Sequence, residues 1–235
     1  MKSLFNITNK NLKMLFTVLF FGGMWGLIEA TLGTVLHLPP FDNMGVYGSS
    51  TAIMLPIAFY LMGLCYKKTG TLRSVAYIGL IAGLIKLSTF IVIGFTQKVY
   101  MPSIYIVLES LAMVGALAIT RPTKVLSAKS FITVGIASTT YLFLSLVVKQ
   151  IQGTPVFTDY ATWVDKGEFY LFTANAVMLL YVGISGAIAL GISKLIEARN
   201  WKFNKELGNK ILYNPITASG VFAVGLIATV LLALV

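Results

Sequence analysis

Charge is what this sequence has least of. Only 11% of its 235 residues are Asp, Glu, Lys or Arg, against roughly 25% in soluble domains. Hydrophobic residues make up 57%, and the mean hydropathy is +0.85. A chain this short has no water-soluble core large enough to hide that much apolar surface. Lipid is the solvent that fits. Thiol and imidazole are also scarce. Cys65 is the single cysteine, which excludes an intrachain disulfide and a cysteine-based metal site. His37 is the single histidine, so histidine-rich metal sites and Ser-His-Asp machinery are poorly supplied. There is no phosphate-binding loop, zinc-protease helix, nucleophile elbow or haem motif. The expectation is a protein with no resident metal or cofactor, no ATPase of its own and no enzymatic activity.

What the chain does have is long apolar runs. A span needs roughly 20 mostly apolar residues to cross about 30 Å of hydrocarbon. Seven runs qualify: 13–37, 45–66, 74–95, 101–120, 130–148, 168–196 and 215–235. They use most of the chain, so residues 1–235 read as a single integral membrane domain, an all-α polytopic transmembrane bundle. The basic start before the first run resembles a signal peptide. The run is too long for one, contains Glu29 and has no small-residue cleavage site, so it reads as a retained helix. Pro39 and Pro40 end it.

The net charge of +10 comes from an asymmetry between the two ends of the spans. With the N-terminus in the cytoplasm, fourteen of the 18 Lys and Arg lie on the inner side. Lys98, Lys149 and Lys166 lie on the outer side, and Lys86 lies within a span. The positive-inside rule sets orientation from this bias. The chain is therefore expected in the cell (cytoplasmic) membrane as a multi-pass protein, with the N-terminus inside and the C-terminus outside. Its positive charge suits anionic inner lipids, and nucleic acid is not an expected partner. The outer segment from Gln150 to Lys166 carries Phe157, Tyr160 and Trp163. It reads equally well as a cap over a site or as an interfacial aromatic belt.

Three charges sit deep in the runs: Glu29, Lys86 and Glu109. Each costs about 2.5–3.5 kcal/mol at the centre of an inserted helix, so such residues face the bundle interior and pair or serve a function. Counted from the expected span ends, Glu29 and Glu109 lie about 12 Å deep and Lys86 about 16 Å deep. They read as one polar level in the outer half. One reading is a buried pair that ties helices together. The other is a ligand or coupled-ion site, because two carboxylates face one ammonium and one is left to be matched.

The first run also carries two stripes. Trp25, Glu29, Gly33 and His37 recur every four residues and share a helix face. Gly22, Gly26 and Ala30 form a neighbouring small-residue stripe suited to helix packing or partner docking. Asn175 is a further polar candidate in the sixth run, and residues 138–141, Ser-Thr-Thr-Tyr, are a softer cluster in the fifth.

The run Trp25-Gly26, Glu29, Leu32-Gly33, Leu36-His37 and Pro40 is one half of a pattern. The other is Gly79 to Ser88 with Lys86, followed by Pro102 and Glu109. Together they resemble the substrate-binding S components of energy-coupling-factor transporters, or a related membrane family. The resemblance implies a small membrane subunit that captures a vitamin, precursor or related nutrient from outside. It also implies a transmembrane coupling subunit, docked on a small-residue face of the first helix, and two cytoplasmic ATPases. Seven spans depart from the six usual there, and the histidine-rich start of its metal-binding members is absent. On this reading Trp25, Glu29, His37, Lys86, Glu109 and Asn175 bind the substrate. The alternative is a standalone proton- or ion-coupled secondary transporter in which a carboxylate exchanges the proton. A membrane-embedded enzyme and a structural subunit rank below both.

Overall fold

The computed structural model describes residues 9–36, 49–124, 127–152, 181, 183 and 205–234. Every regular element among the described residues is helical. The first helix, α1, spans Lys10–Val35, and the Asn9 side chain caps it by accepting the Asn11 N–H at 2.9 Å. Helix α2 is Ser49–Thr69 and carries Pro56. Helices α3, Leu72–Leu87, and α4, Phe90–Ile93, make one apolar stretch broken at Ser88 and Thr89. Helix α5 is Gln97–Thr120. It stops where Arg121 turns left-handed at φ 44° and Pro122 cannot continue it. Helix α6 is Ala128–Ile151, capped by Ser127. A short helix α7, Lys205–Leu212, leads into α8, Pro215–Leu232, which is capped by Asn214.

Among the described residues, five stretches are long and apolar enough to cross a membrane: α1, α3 with α4, α5, α6 and α8. This is a membrane protein by length and composition. Helix α2 adds 21 helical residues at the centre of the bundle, where Leu55, Ala58, Phe59, Met62 and Cys65 are fully buried. The expected sixth span, 168–196, lies outside the described residues apart from Tyr181 and Gly183. So do residues 153–166 of the segment after α6.

Glycines set the helix contacts. In lipid there is little hydrophobic drive between helices, so close backbone approach through small residues supplies the packing. A Cβ on Gly22 would meet Ile81 at 2.8 Å, and one on Gly26 would meet Ile85 at 2.6 Å. These contacts join α1 to α3. Gly79 lies against Ser110 and Gly83 against the Ser103 carbonyl, joining α3 to α5. Gly23 lies against the backbone of Phe222, joining α1 to α8. Apart from buried Ala218, Gly225 and Thr229, α8 is largely uncovered: Ile216, Ile227 and Leu231 are all exposed. The Thr120 and Thr133 hydroxyls, 2.6 Å apart, join the adjoining ends of α5 and α6.

The basic residues gather at one end. Lys10, Lys13, Lys68 and Arg73 line one cleft, and Lys67 and Lys124 line another. Successive helices therefore alternate in direction; Glu29 and Lys86 lie toward the opposite end, and Glu109 lies at the middle of α5.

Candidate functional site

The span ends redraw the depths expected from sequence. Glu29 lies six residues before the end of α1 at Val35, and Lys86 seven before the end of α4 at Ile93. Both are therefore about 9–10 Å from the end opposite the basic one. Glu109 is deeper than expected, because α5 begins at Gln97 and not at Met101. Twelve residues from that start place it about 18 Å in. Trp25 and Tyr141 each lie ten residues from their helix ends, about 15 Å in. The single polar level expected from the sequence is thus two tiers.

The upper tier is Glu29, Gly33 and Lys86, with Met54 of α2. A Cβ on Gly33 would sit 3.2 Å from Glu29 Oε2 and 3.8 Å from Met54 Cε. The glycine one turn along leaves the space that the carboxylate occupies. Lys86 is in the last turn of α3, where the exposed carbonyls of a helix C-terminus favour a cation. The break beyond it is held by hydroxyls. Ser88 Oγ donates to the Ile85 carbonyl at 2.6 Å, and Thr89 Oγ1 donates to the Lys86 carbonyl at 3.0 Å. Irregular backbone at membrane depth is tolerated where protein encloses it or it lines a cavity. Glu29 is within Coulombic range of Lys86, but no direct salt bridge joins Lys86 to either carboxylate among the described residues.

The lower tier is Trp25, Glu109 and Tyr141. Trp25 is fully buried and Glu109 is 6% exposed. Tyr141, itself buried, lies beside Glu109, and Glu29 is within Coulombic range of that carboxyl. Two buried side-chain atoms have no hydrogen-bond partner among the described residues: Trp25 Nε1 and Glu109 Oε2. One is a donor. The other belongs to a carboxyl. An unmade hydrogen bond of this kind costs about 1–3 kcal/mol, and more for a charged group. That both fall in one tier marks it as the chemically unfinished part of the bundle.

The structure therefore sets Lys86 and Glu109 each within Coulombic range of Glu29, and Trp25 near the depth of Glu109, while His37 and Asn175 lie outside the described residues. Gly22 and Gly26 lie against α3, and Ala30 is buried. At Gly22 and Gly26 this stripe packs against α3, the helix-packing alternative of the two read from the sequence. Tyr141 was visible only as part of a hydroxyl cluster, and Met54 carried no sequence signal at all. No metal-ligating cluster of three or more His, Cys, Asp or Glu occurs among the described residues. Comparison of the chain with protein-family models, curated proteins and solved structures finds no match.

Proposed function

We propose that this chain is the substrate-binding membrane subunit of a small-molecule importer, with its site in the two polar tiers. The supporting observation is that a buried donor, Trp25 Nε1, and a buried carboxyl oxygen, Glu109 Oε2, both lack a hydrogen-bond partner among the described residues and lie at similar depth. A ligand that satisfies both carries an acceptor for the indole and a donor, an amine or amide N–H, for Glu109. Glu29 and Lys86 above them bind or orient a second polar group. A vitamin, a precursor or a related nutrient has this chemistry.

On this reading the basic end is cytoplasmic, the upper tier lies in the outer half with the lower tier near the membrane middle, and the chain crosses the cell membrane about seven times. The resemblance to energy-coupling-factor S components supplies the energy source: a separate coupling subunit with cytoplasmic ATPases. That partner docks on a face other than the Gly22 and Gly26 stripe.

The test has two parts. A thermal-shift screen of the purified protein against amine- and amide-bearing nutrients should yield a stabilising compound, and Glu109→Gln should lose the shift while keeping its own melting temperature. Affinity purification from the native membrane should carry ATPase subunits with it. A stabilising compound bound equally well by Glu109→Gln and Trp25→Phe would remove the site.

A second reading rests on the two carboxylates facing one ammonium. A standalone transporter would use Glu109 or Glu29 as its proton- or ion-exchanging group. Liposomes containing only this chain separate the two readings. Uptake driven by an imposed proton or sodium gradient supports the standalone transporter, and inactivity there with ATPase partners recovered from the membrane supports the importer subunit.

A further inference from the structure

The basic end of the bundle holds a cleft of about 340 Å³ that the proposed transport site does not use. Its wall is drawn from three stretches of chain. The start of α1 contributes Lys10, Asn11, Lys13, Met14 and Thr17. The turn between α2 and α3 contributes Lys68, Thr69, Thr71 and Arg73, and Tyr213 closes the third side. Four of these side chains are cationic and none is a carboxylate. Elsewhere on a basic protein surface, lysines usually point apart into solvent. Here four basic residues border one hollow.

Two local features strengthen the electrostatics. Thr71 stands at the N-cap of α3 but makes no capping hydrogen bond; its hydroxyl points to Met14 Sδ at 3.6 Å. The first amides of a 16-residue helix are therefore left without a side-chain cap at the rim of the cleft. A helix N-terminus with free amides favours an anion. Lys13 is half-buried, with Nζ 5.7 Å from the centre of the Tyr213 ring. That contact holds one ammonium on the wall of the cleft instead of free in solvent.

We propose that this cleft binds a phosphate-bearing anion. Four cations and uncapped helix amides match phosphate oxygens, which accept several charge-assisted hydrogen bonds at once. The anion has two sources, the headgroup of an acidic phospholipid or a free phosphate. The site stands independently of the ligand assigned to the two polar tiers.

The experiment uses the full chain in a neutral detergent at fixed ionic strength. Its melting temperature is measured with phosphatidylglycerol, phosphatidylcholine, inorganic phosphate or pyrophosphate, and chloride. Stabilisation by phosphatidylglycerol and not by phosphatidylcholine assigns the site to lipid, and stabilisation by phosphate or pyrophosphate assigns it to a free anion. No stabilisation by any phosphate-bearing probe beyond chloride overturns the proposal. Lys68 and Arg73 are both exposed, so Lys68→Gln and Arg73→Gln should fold. Each should weaken binding about fivefold, and the pair about 25-fold. Lys129 lies outside the cleft, and Lys129→Gln should leave binding unchanged. An equal loss in Lys129→Gln would mean diffuse charge attraction, and the cleft would not be a site.

Discussion

Alanine at Gly23 should weaken this protein, although alanine is the better helix former. The contact between α1 and α8 explains the sign. A Cβ on Gly23 would stand 2.8 Å from the Phe222 backbone nitrogen, 3.0 Å from its Cα and 3.1 Å from the Val221 carbonyl carbon. All three are backbone atoms, so no side chain can rotate out of the way. Helix α8 must shift by several tenths of an ångström, and the neighbouring contact, where Gly225 lies against the Gly23 carbonyl, shifts with it. Overpacking of this kind costs about 1–3 kcal/mol. The intrinsic preference for Ala over Gly in a helix returns about 0.5–1 kcal/mol. The net loss is about 0.5–2 kcal/mol, or about 1–8 °C in melting temperature for a chain of this size. Gly220, on the same helix α8, supplies the control, because a Cβ there meets nothing within 4 Å. Gly220→Ala should therefore hold or raise the melting temperature. Both variants can be followed by thermal unfolding in detergent. If Gly23→Ala is as stable as Gly220→Ala, the two helices do not approach each other in this way.

Other perturbations separate structure from binding. Trp25→Phe keeps most of the buried ring and deletes the unpartnered N–H. Relief of that unmet donor, about 1–3 kcal/mol, offsets the lost ring volume, so the melting temperature should change by no more than about 4 °C. Ligand affinity should fall at least tenfold by titration. Gly33→Ala puts a methyl group 3.2 Å from Glu29 Oε2. It should move that carboxylate and weaken binding while leaving the far tier, Trp25 with Glu109, intact, a split readable by comparing ligand analogues that lack one polar group. Gly26→Ala should destabilise, because Ile85 Cδ1, Cγ2 and Cβ all lie within 3.0 Å of the added atom. Replacing Ile85 by alanine as well should recover part of the loss in the double variant.

The membrane character was legible because hydropathy is local and additive. Each apolar run announces itself without knowledge of its neighbours, and α6 and α8 fall within three residues of the ranges expected. Charges work the same way: Glu29, Lys86 and Glu109 stand out against an apolar background wherever the helices go. Boundaries were less legible. The Met101-Pro102 step reads as a helix start, yet α5 begins at Gln97 and carries Pro102 inside it, giving up one hydrogen bond to the Lys98 carbonyl. That four-residue difference changes the site, since it sinks Glu109 below Glu29. The break after Lys86 was also hidden, because Ser88 and Thr89 are common in unbroken membrane helices.

Hydropathy alone commits this chain to lipid, and the distribution of Lys and Arg alone marks one end of its helices as basic. The three charges within the spans follow from the sequence too. Partnership does not. Gly22 and Gly26 are a small-residue stripe in any reading, but only packing assigns them to Ile81 and Ile85 of α3. Only packing sets Tyr141 beside Glu109, clears the space at Gly33 for Glu29, and leaves Trp25 Nε1 and Glu109 Oε2 without partners among the described residues. The physical reason is range. A residue's preference for lipid depends on its own side chain, whereas a hydrogen bond across helices depends on the rotation and depth of two segments far apart in sequence.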